Sequence, residues 1–194
     1  MRKLSLMFCT LMVLAYSREA GGVPVTLTFD ELPFQPVDGL SFMGVTFHFT
    51  VGGVPSMDAN YNSGGPGIIT YVQDPSLEGD AAGILTLDFD VPTALLQYGV
   101  ALNALGPLAE GCSIELFDSD SVSLGVIDVA TASISSFTES RFSYQGRPVS
   151  SAAISFNSAV AVRFALDNLT FDNGAANVPN GEKSSFPPGG KTWK

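Results

Sequence analysis

The residues best placed to do chemistry stand at the two ends of the apolar-rich region. Thr28-Phe29-Asp30-Glu31-Leu32-Pro33 opens it, and Phe164-Ala165-Leu166-Asp167-Asn168-Leu169-Thr170-Phe171 closes it. Each sets two adjacent oxygen-bearing side chains inside a run of large apolar residues. Charges rarely occupy such surroundings unless they are paired or bound to a metal. Asp30, Glu31, Asp167 and Asn168 are therefore candidate ligands of a structural ion site, on the condition that the two ends meet in one sheet. The competing reading has Asp30 and Asp167 accepting backbone N–H bonds at strand ends, or pairing with Arg163.

A second group lies in the long connection from Gly52 to Gly83, which is rich in Gly, Pro, Asn and Asp. Asp58, Asn60, Tyr61, Asn62 and Tyr71 are its candidate ligand-binding residues. Sugar recognition sets an aromatic face against the ring's C–H groups and fixes hydroxyls with amides and carboxylates, and this connection holds that inventory. Turns also favour Asn, Asp and Gly for backbone reasons alone. Catalysis has little to work with. His48 is the single histidine and sits at an outward position between Phe47 and Phe49, and neither Gly-x-Ser-x-Gly nor Ser-x-x-Lys occurs. One histidine forbids the usual zinc sites. Asp88/Asp90 and Asp118/Asp120 alternate as solvated residues do, so the chain reads as non-enzymatic, with a paired-carboxylate glycosidase the third-ranked alternative.

The elements that must position these groups are strands. Val25, Leu27 and Phe29 alternate with Thr26, Thr28 and Asp30, and Val45, Phe47, Phe49 and Val51 alternate with Thr46, His48 and Thr50. Similar period-two runs cover Leu85 to Val91, Leu96 to Leu102, Cys112 to Asp118, Leu124 to Val129, Phe142 to Tyr144, Ile154 to Phe156 and Val160 to Leu166. Short alternating runs between Gly, Pro, Asp and Ser clusters predict an all-β fold, an antiparallel, jelly-roll-like β-sandwich of about nine strands. A short strand at Ile68 to Val72 would interrupt the long connection. The last run contains a phase break. Val160, Val162, Phe164 and Leu166 share one parity, whereas Leu169 and Phe171 have the other. Either a β-bulge at Asp167-Asn168 absorbs one residue, or the strand crosses between faces or is buried on both.

Met1-Arg2-Lys3, the 13 apolar-rich residues Leu4 to Tyr16 and the small residues of Ala15-Tyr16-Ser17 read as a signal peptide over residues 1–17, with Ala20 the competing cleavage point. Thirteen residues fall short of the about 20 that span a bilayer. The chain is accordingly expected to be secreted, with one domain over residues 21–172 and a disordered tail over 173–194 that holds Trp193. Cys112 is alone in that domain, so no internal disulfide forms, and it reads as a small buried residue. Between Gly21 and Asp172 three arginines and no lysine face 17 Asp and Glu residues. That balance excludes nucleic acid and disfavours anionic membrane, while leaving cations, basic partners and neutral sugars open. Asn168-Leu169-Thr170 is also an N-glycosylation sequon.

Three anchors carry a resemblance. Phe29 to Pro33, Gly39-Leu40-Ser41-Phe42-Met43-Gly44-Val45-Thr46-Phe47, and Phe164 to Phe171 resemble segments of the secreted β-sandwich domains of PEP-CTERM-type exported bacterial proteins. Those look like galactose-binding-like jelly rolls and related carbohydrate-binding modules. The C-terminal sorting signal of that class is absent from this sequence. The resemblance implies a structural Ca²⁺ between the first and last strands, with Asp30, Glu31, Asp167 and Asn168 as its ligands. It also implies a glycan or extracellular-matrix component as partner. The alternative is a structural or adhesive protein with no small-molecule pocket.

Overall fold

A computed structural model describes residues 22–173 as an all-β, antiparallel assembly with no helix. The readings of a signal peptide, its cleavage point and a disordered tail with Trp193 lie outside the described residues, apart from Asn173.

Two strands of 20 residues organise the molecule: β8 (Gly83–Leu102) and β11 (Phe137–Phe156). Their mutual ladder breaks register between Gln145 and Ser151, and each strand serves two layers. In the first layer the second half of β8 pairs with the first half of β11 and with β12 (Arg163–Asp172). Beyond β12 come β7 (Ser76–Asp80), β6 (Asn60–Ser63) and β2 (Gln35–Pro36), with β1 (Pro24–Leu27) also on β12. In the second layer the first half of β8 pairs with β4 (Val45–Val51) and with the end of β11. The small strands β3 (Ser41–Phe42) and β5 (Val54–Pro55) extend it on β4, β9 (Leu108–Phe117) on β11, and β10 (Ser123–Ile134) on β9.

Alternation decides what lies between the layers. Phe47, Phe49, Leu85, Leu87, Ile114 and Ile154 of the second layer, and Leu96, Val100, Phe164, Leu166, Leu169 and Phe171 of the first, are fully or almost fully buried. Ring contacts cross the gap: Phe49 with Phe164 at 5.9 Å, Phe89 with Phe171 at 5.2 Å, and Phe156 stacked on Phe164 at 3.8 Å. Two antiparallel sheets facing across an apolar interior make a sandwich, as the alternation predicts. Cys112 belongs to this core, where burial, aided by the Asp128 charge, pushes its thiol up to about 12.

The strand count needs correction. Twelve strands occur among the described residues rather than nine. Runs read as separate fused into β8 and β11, while the Gly52–Gly83 connection contributes β5, β6 and β7, which lack clear alternation. The strand anticipated at Ile68 to Val72 does not form. That stretch is an irregular strap instead, because it lies flat on the outer face of the first layer rather than along an edge.

Candidate functional site

The two acidic ends do meet. Strand β1 pairs with the last four residues of β12, Leu27 opposite Leu169 and Pro24 opposite Asp172. Strand β7 pairs with the first four, Leu77 opposite Leu166. At the junction β12 spends three steps, Asp167 to Thr170, against two on β8, Gly99 to Gln97. This is the one-residue β-bulge that the phase break allows, and Asn168 takes it up with a φ of 55°. Asn tolerates the left-handed region better than most residues. The bulge lets Leu166 and Leu169 both face the core and leaves Asp167 on the outer side, yet only 3% exposed.

What covers Asp167 is the strap, residues 64–75. Val72 and Ile69 pack on Ala101 and Ala165, which point outward from β8 and β12. The Tyr71 carbonyl lies so close to Gly99 that a Cβ there would come within 2.0 Å of its oxygen. Two buried carboxylates hold the strap backbone. Glu139, 2% exposed, accepts the N–H of Thr70 at 3.2 Å and of Tyr71 at 2.9 Å. Asp167 Oδ2 accepts the N–H of Gln73 at 2.9 Å and Asn168 Nδ2 at 2.9 Å, and Oδ1 accepts Asn168 N at 2.6 Å. Asp74 Oδ1 closes the strap on itself through the N–H groups of Gly65 and Gly67. A buried carboxylate is tolerable because each such N–H needs an acceptor.

The opposite acidic pair does separate work. Phe29 is buried with a φ of 60°, a conformation a bulky residue rarely adopts, and it turns the chain so that Glu31 faces back. Glu31 Oε1 accepts Thr28 N at 2.7 Å and Thr28 Oγ1 at 3.1 Å, and Oε2 accepts the Tyr61 hydroxyl. Asp30 Oδ1 accepts Thr28 Oγ1 at 2.7 Å. Burial works against the Glu31 charge, but the bonds from Tyr61 and Thr28 hold its carboxyl below the usual range. Asp167 moves the other way, to about 6. Burial drives the rise, the Gln73 and Asn168 N–H groups oppose it, and the charges of Glu31 and Asp30 add to it.

Three of the four expected calcium ligands, Asp30, Glu31 and Asp167, are therefore near enough to repel electrostatically, but the oxygens of the set are differently committed. Among the described residues no group of three or more His, Cys, Asp or Glu is arranged to hold a metal ion. Every carboxylate oxygen of Glu31 and Asp167 already accepts a hydrogen bond. A Ca²⁺ site needs six to eight oxygens turned toward one point, and the side chains of the junction are instead turned toward separate protein donors.

The expected ligand-binding residues are dispersed. Tyr61 is corrected outright: it is fully buried, its ring 4.9 Å from that of Phe29, and burial and Glu31 raise its hydroxyl pKa far above normal. A phenol used as a core donor offers no face to a sugar. Asp58 accepts Arg163 Nη1 at 2.8 Å and the N–H of Asp80 at 2.9 Å, and Asn60 caps the carbonyl of Asp58. Asn62 donates to the carbonyl of Leu32 from a φ of 55°. These are turn-stabilising roles. Tyr71 alone stands at a cleft, 41% exposed.

That cleft, about 310 Å³, opens where the strap meets the outer face of the first layer, lined by Thr70 and Tyr71 on one side and by Thr26, Gly99, Arg141, Asn168 and Thr170 on the other. Thr26 and Thr170 hydroxyls bond at 2.8 Å across β1 and β12. Gln97 continues the row, donating to Ser143 Oγ at 2.9 Å and accepting Arg141 Nη2 at 2.8 Å. Sequence reasoning missed Arg141, Gln97 and Thr170 because each looks like an ordinary outward strand residue. No signal along the chain marks which outward positions border a strap.

His48 is outward on β4 as expected, between Asp88 at 3.4 Å and Asp38 at 3.9 Å. No helix of the described residues is long and apolar enough to cross a membrane.

No family model matches the chain, and no curated protein matches it. Among solved structures it is similar to a single-substitution mutant of the carbohydrate-binding module CBM29-2, with 11% identity, a TM-score of 0.40, and coverage of 79% of this chain and 94% of that one. It is similar to the CBM22-1–GH10 modules of the Clostridium thermocellum xylanase Xyn10B, complexed with xylohexaose, at 16% identity and TM-score 0.42, covering 77% of this chain and 28% of that one. A third is the enzymatically active domain of tailspike protein 4 of bacteriophage CBA120, at 14% identity and TM-score 0.35, covering 70% of this chain and 21% of that one. Similarity at this level assigns neither a family nor a ligand.

Proposed function

We propose that the protein is a non-catalytic glycan-binding module whose site is the cleft between the strap and the first layer. One observation carries this reading: Tyr71, an exposed aromatic, stands over a floor of fixed polar groups, the amide of Asn168 and the hydroxyls of Thr26 and Thr170. Sugar sites pair an apolar ring face with a few placed donors and acceptors, and this cleft has both on a rigid sheet. The floor is ready before any ligand arrives, since the strap is already held by Glu139 and Asp167. Export belongs to the same proposal, on the strength of residues 1–17 and the three anchors shared with PEP-CTERM-type exported domains. Calcium is not required by it.

The test is a glycan array read with the intact chain and with Tyr71→Ala. Retention on one or more glycans, weakened at least about tenfold by the substitution, supports the site, that being the scale of losing an aromatic contact of about 1.4 kcal/mol. Tyr61→Phe is the matched control and leaves retention unchanged. A blank array sinks the proposal and leaves the structural or adhesive reading.

A further inference from the structure

Only three arginines oppose 17 acidic residues between Gly21 and Asp172. Two of them are neutralised by carboxylates. Arg163 meets Asp58 at 2.8 Å and Glu78 at 3.5 Å, and Arg147 meets Asp118 at 3.6 Å. Arg141 differs. Among the described residues it has no ion pair, and its one hydrogen bond goes to a neutral amide, Gln97 Oε1, at 2.8 Å. Gln97 is itself fixed by Ser143, so the guanidinium is oriented without being discharged. It also lines the cleft beside Asn168 and Thr170.

Resting on the glycan-binding reading above, we infer that the cleft takes a sugar bearing a carboxylate, a uronic-acid residue, with Arg141 as the contact for its anion. A guanidinium offers five N–H donors in a planar fork, and one is spent here on Gln97. The remaining donors match the two oxygens of a carboxylate, a bond about twice as strong as a neutral one. Asn168 Nδ2 is spent on Asp167 and the Tyr71 carbonyl, so Asn168 Oδ1 and the bonded Thr26–Thr170 hydroxyl pair remain as acceptors for the ring hydroxyls. The acidic remainder of the domain acts against any polyanion at long range. Added salt screens that repulsion within a Debye length of about 8 Å at physiological ionic strength, while the contact in the cleft is screened less. Uronate binding should therefore survive moderate salt.

The competing role for Arg141 is structural, balancing through space the buried charges of Glu139, two residues away on the same outer face, and of Asp167 across the sheet. The experiment separates the two. Calorimetric titration is run with oligogalacturonate and oligoglucuronate, with neutral xylo-, cello- and manno-oligosaccharides, and with sulfated oligosaccharides. The expected result is a preference for a uronate, reduced at least about tenfold by Arg141→Gln, the scale of losing a hydrogen bond to a charged group. Gln97→Glu supplies a carboxylate to the guanidinium on an open strand face without touching the core. It should reduce uronate binding while leaving the melting temperature unchanged, and a purely structural Arg141 would leave uronate binding unmoved. Neutral sugars bound as well as uronates, with both variants silent, overturn the inference and leave the glycan module standing. A preference for sulfated sugars also overturns the uronate assignment. No binding to any member of the panel overturns the glycan reading itself.

Discussion

The outer faces of the two layers carry similar outward-pointing residues and use them differently. On the second layer Thr46, His48, Thr86 and Asp88 point into solvent, and the Asp88 side chain is 49% exposed beside His48. On the first layer Glu139 and Asp167 occupy the same kind of alternating outward position, and they are 2% and 3% exposed. Nothing intrinsic separates Glu139 from Asp88. The strap does: it brings three backbone N–H groups over the first layer, those of Thr70, Tyr71 and Gln73, and they find their acceptors in these carboxylates. An outward charge on a strand is thus a solvated bystander or a structural acceptor according to what a distant segment lays over it.

The sharpest way to break the contrast is at Gly99. A Cβ there meets the Tyr71 carbonyl oxygen at 2.0 Å, so Gly99→Val should lift the strap and cost about 3 kcal/mol in chemical denaturation, an overpacking penalty. Thr86→Val on the uncovered face should change stability by no more than about 0.5 kcal/mol. Equal effects would mean that the strap contributes no more than the open surface opposite.

Glu139→Ala comes next. It leaves the Thr70 and Tyr71 amides without their acceptor and should cost about 2 kcal/mol, with Glu139→Gln recovering part of the loss. Asp88→Ala, read in the same urea series, should stay within about 0.5 kcal/mol.

Acidity probes the two carboxylates of the junction, with opposite signs. Asp167 has a folded value of about 6, above the about 3.9 of an unfolded Asp. The folded state then binds more protons across that interval, so this group's contribution to stability falls as pH rises from about 4 to about 6 and stays low above it. Glu31 is lowered, so its contribution is present above the unfolded value of about 4.3 and is lost as pH falls below it. Thermal melts of Asp167→Asn between pH 4 and 7 should therefore show a more positive slope with pH than the parent. An unchanged slope would remove Asp167 as the titrating group.

The smallest effect expected is that of Ca²⁺. With the oxygens of Glu31 and Asp167 spent on protein donors, melting should be the same in millimolar Ca²⁺ and in chelator. A melting temperature that climbs with Ca²⁺ concentration would show a binding rearrangement at the junction and restore the ion.

Much of this was legible in residue order, because the information is local. Period-two alternation at Val45 to Val51 and Leu85 to Val91 suffices to make strands with one buried face, and these pair as expected. The parity change between Leu166 and Leu169 marked where a bulge could sit, and the register against β8 decided for it over a strand that crosses faces or is buried on both. The acidic ends were also visible, and their meeting follows from β1 lying beside β12. What residue order left open is which partner each oxygen takes. Tyr61 and Tyr71 stand ten residues apart in one Gly- and Asn-rich stretch, yet one is a core donor to Glu31 and the other borders a cleft. Glu139 and Arg141 are next-but-one neighbours on one strand face, yet one is sealed beneath the strap and the other is open beside it. Those assignments depend on contacts between segments some 30 to 100 residues apart, such as Tyr61 with Glu31, Thr70 with Glu139 and Gln73 with Asp167. A hydrogen bond is decided by position in space, and alternation along a strand reports only which side of a sheet a residue is on. The fold was therefore written in the sequence, and the site was made by the packing of the strap.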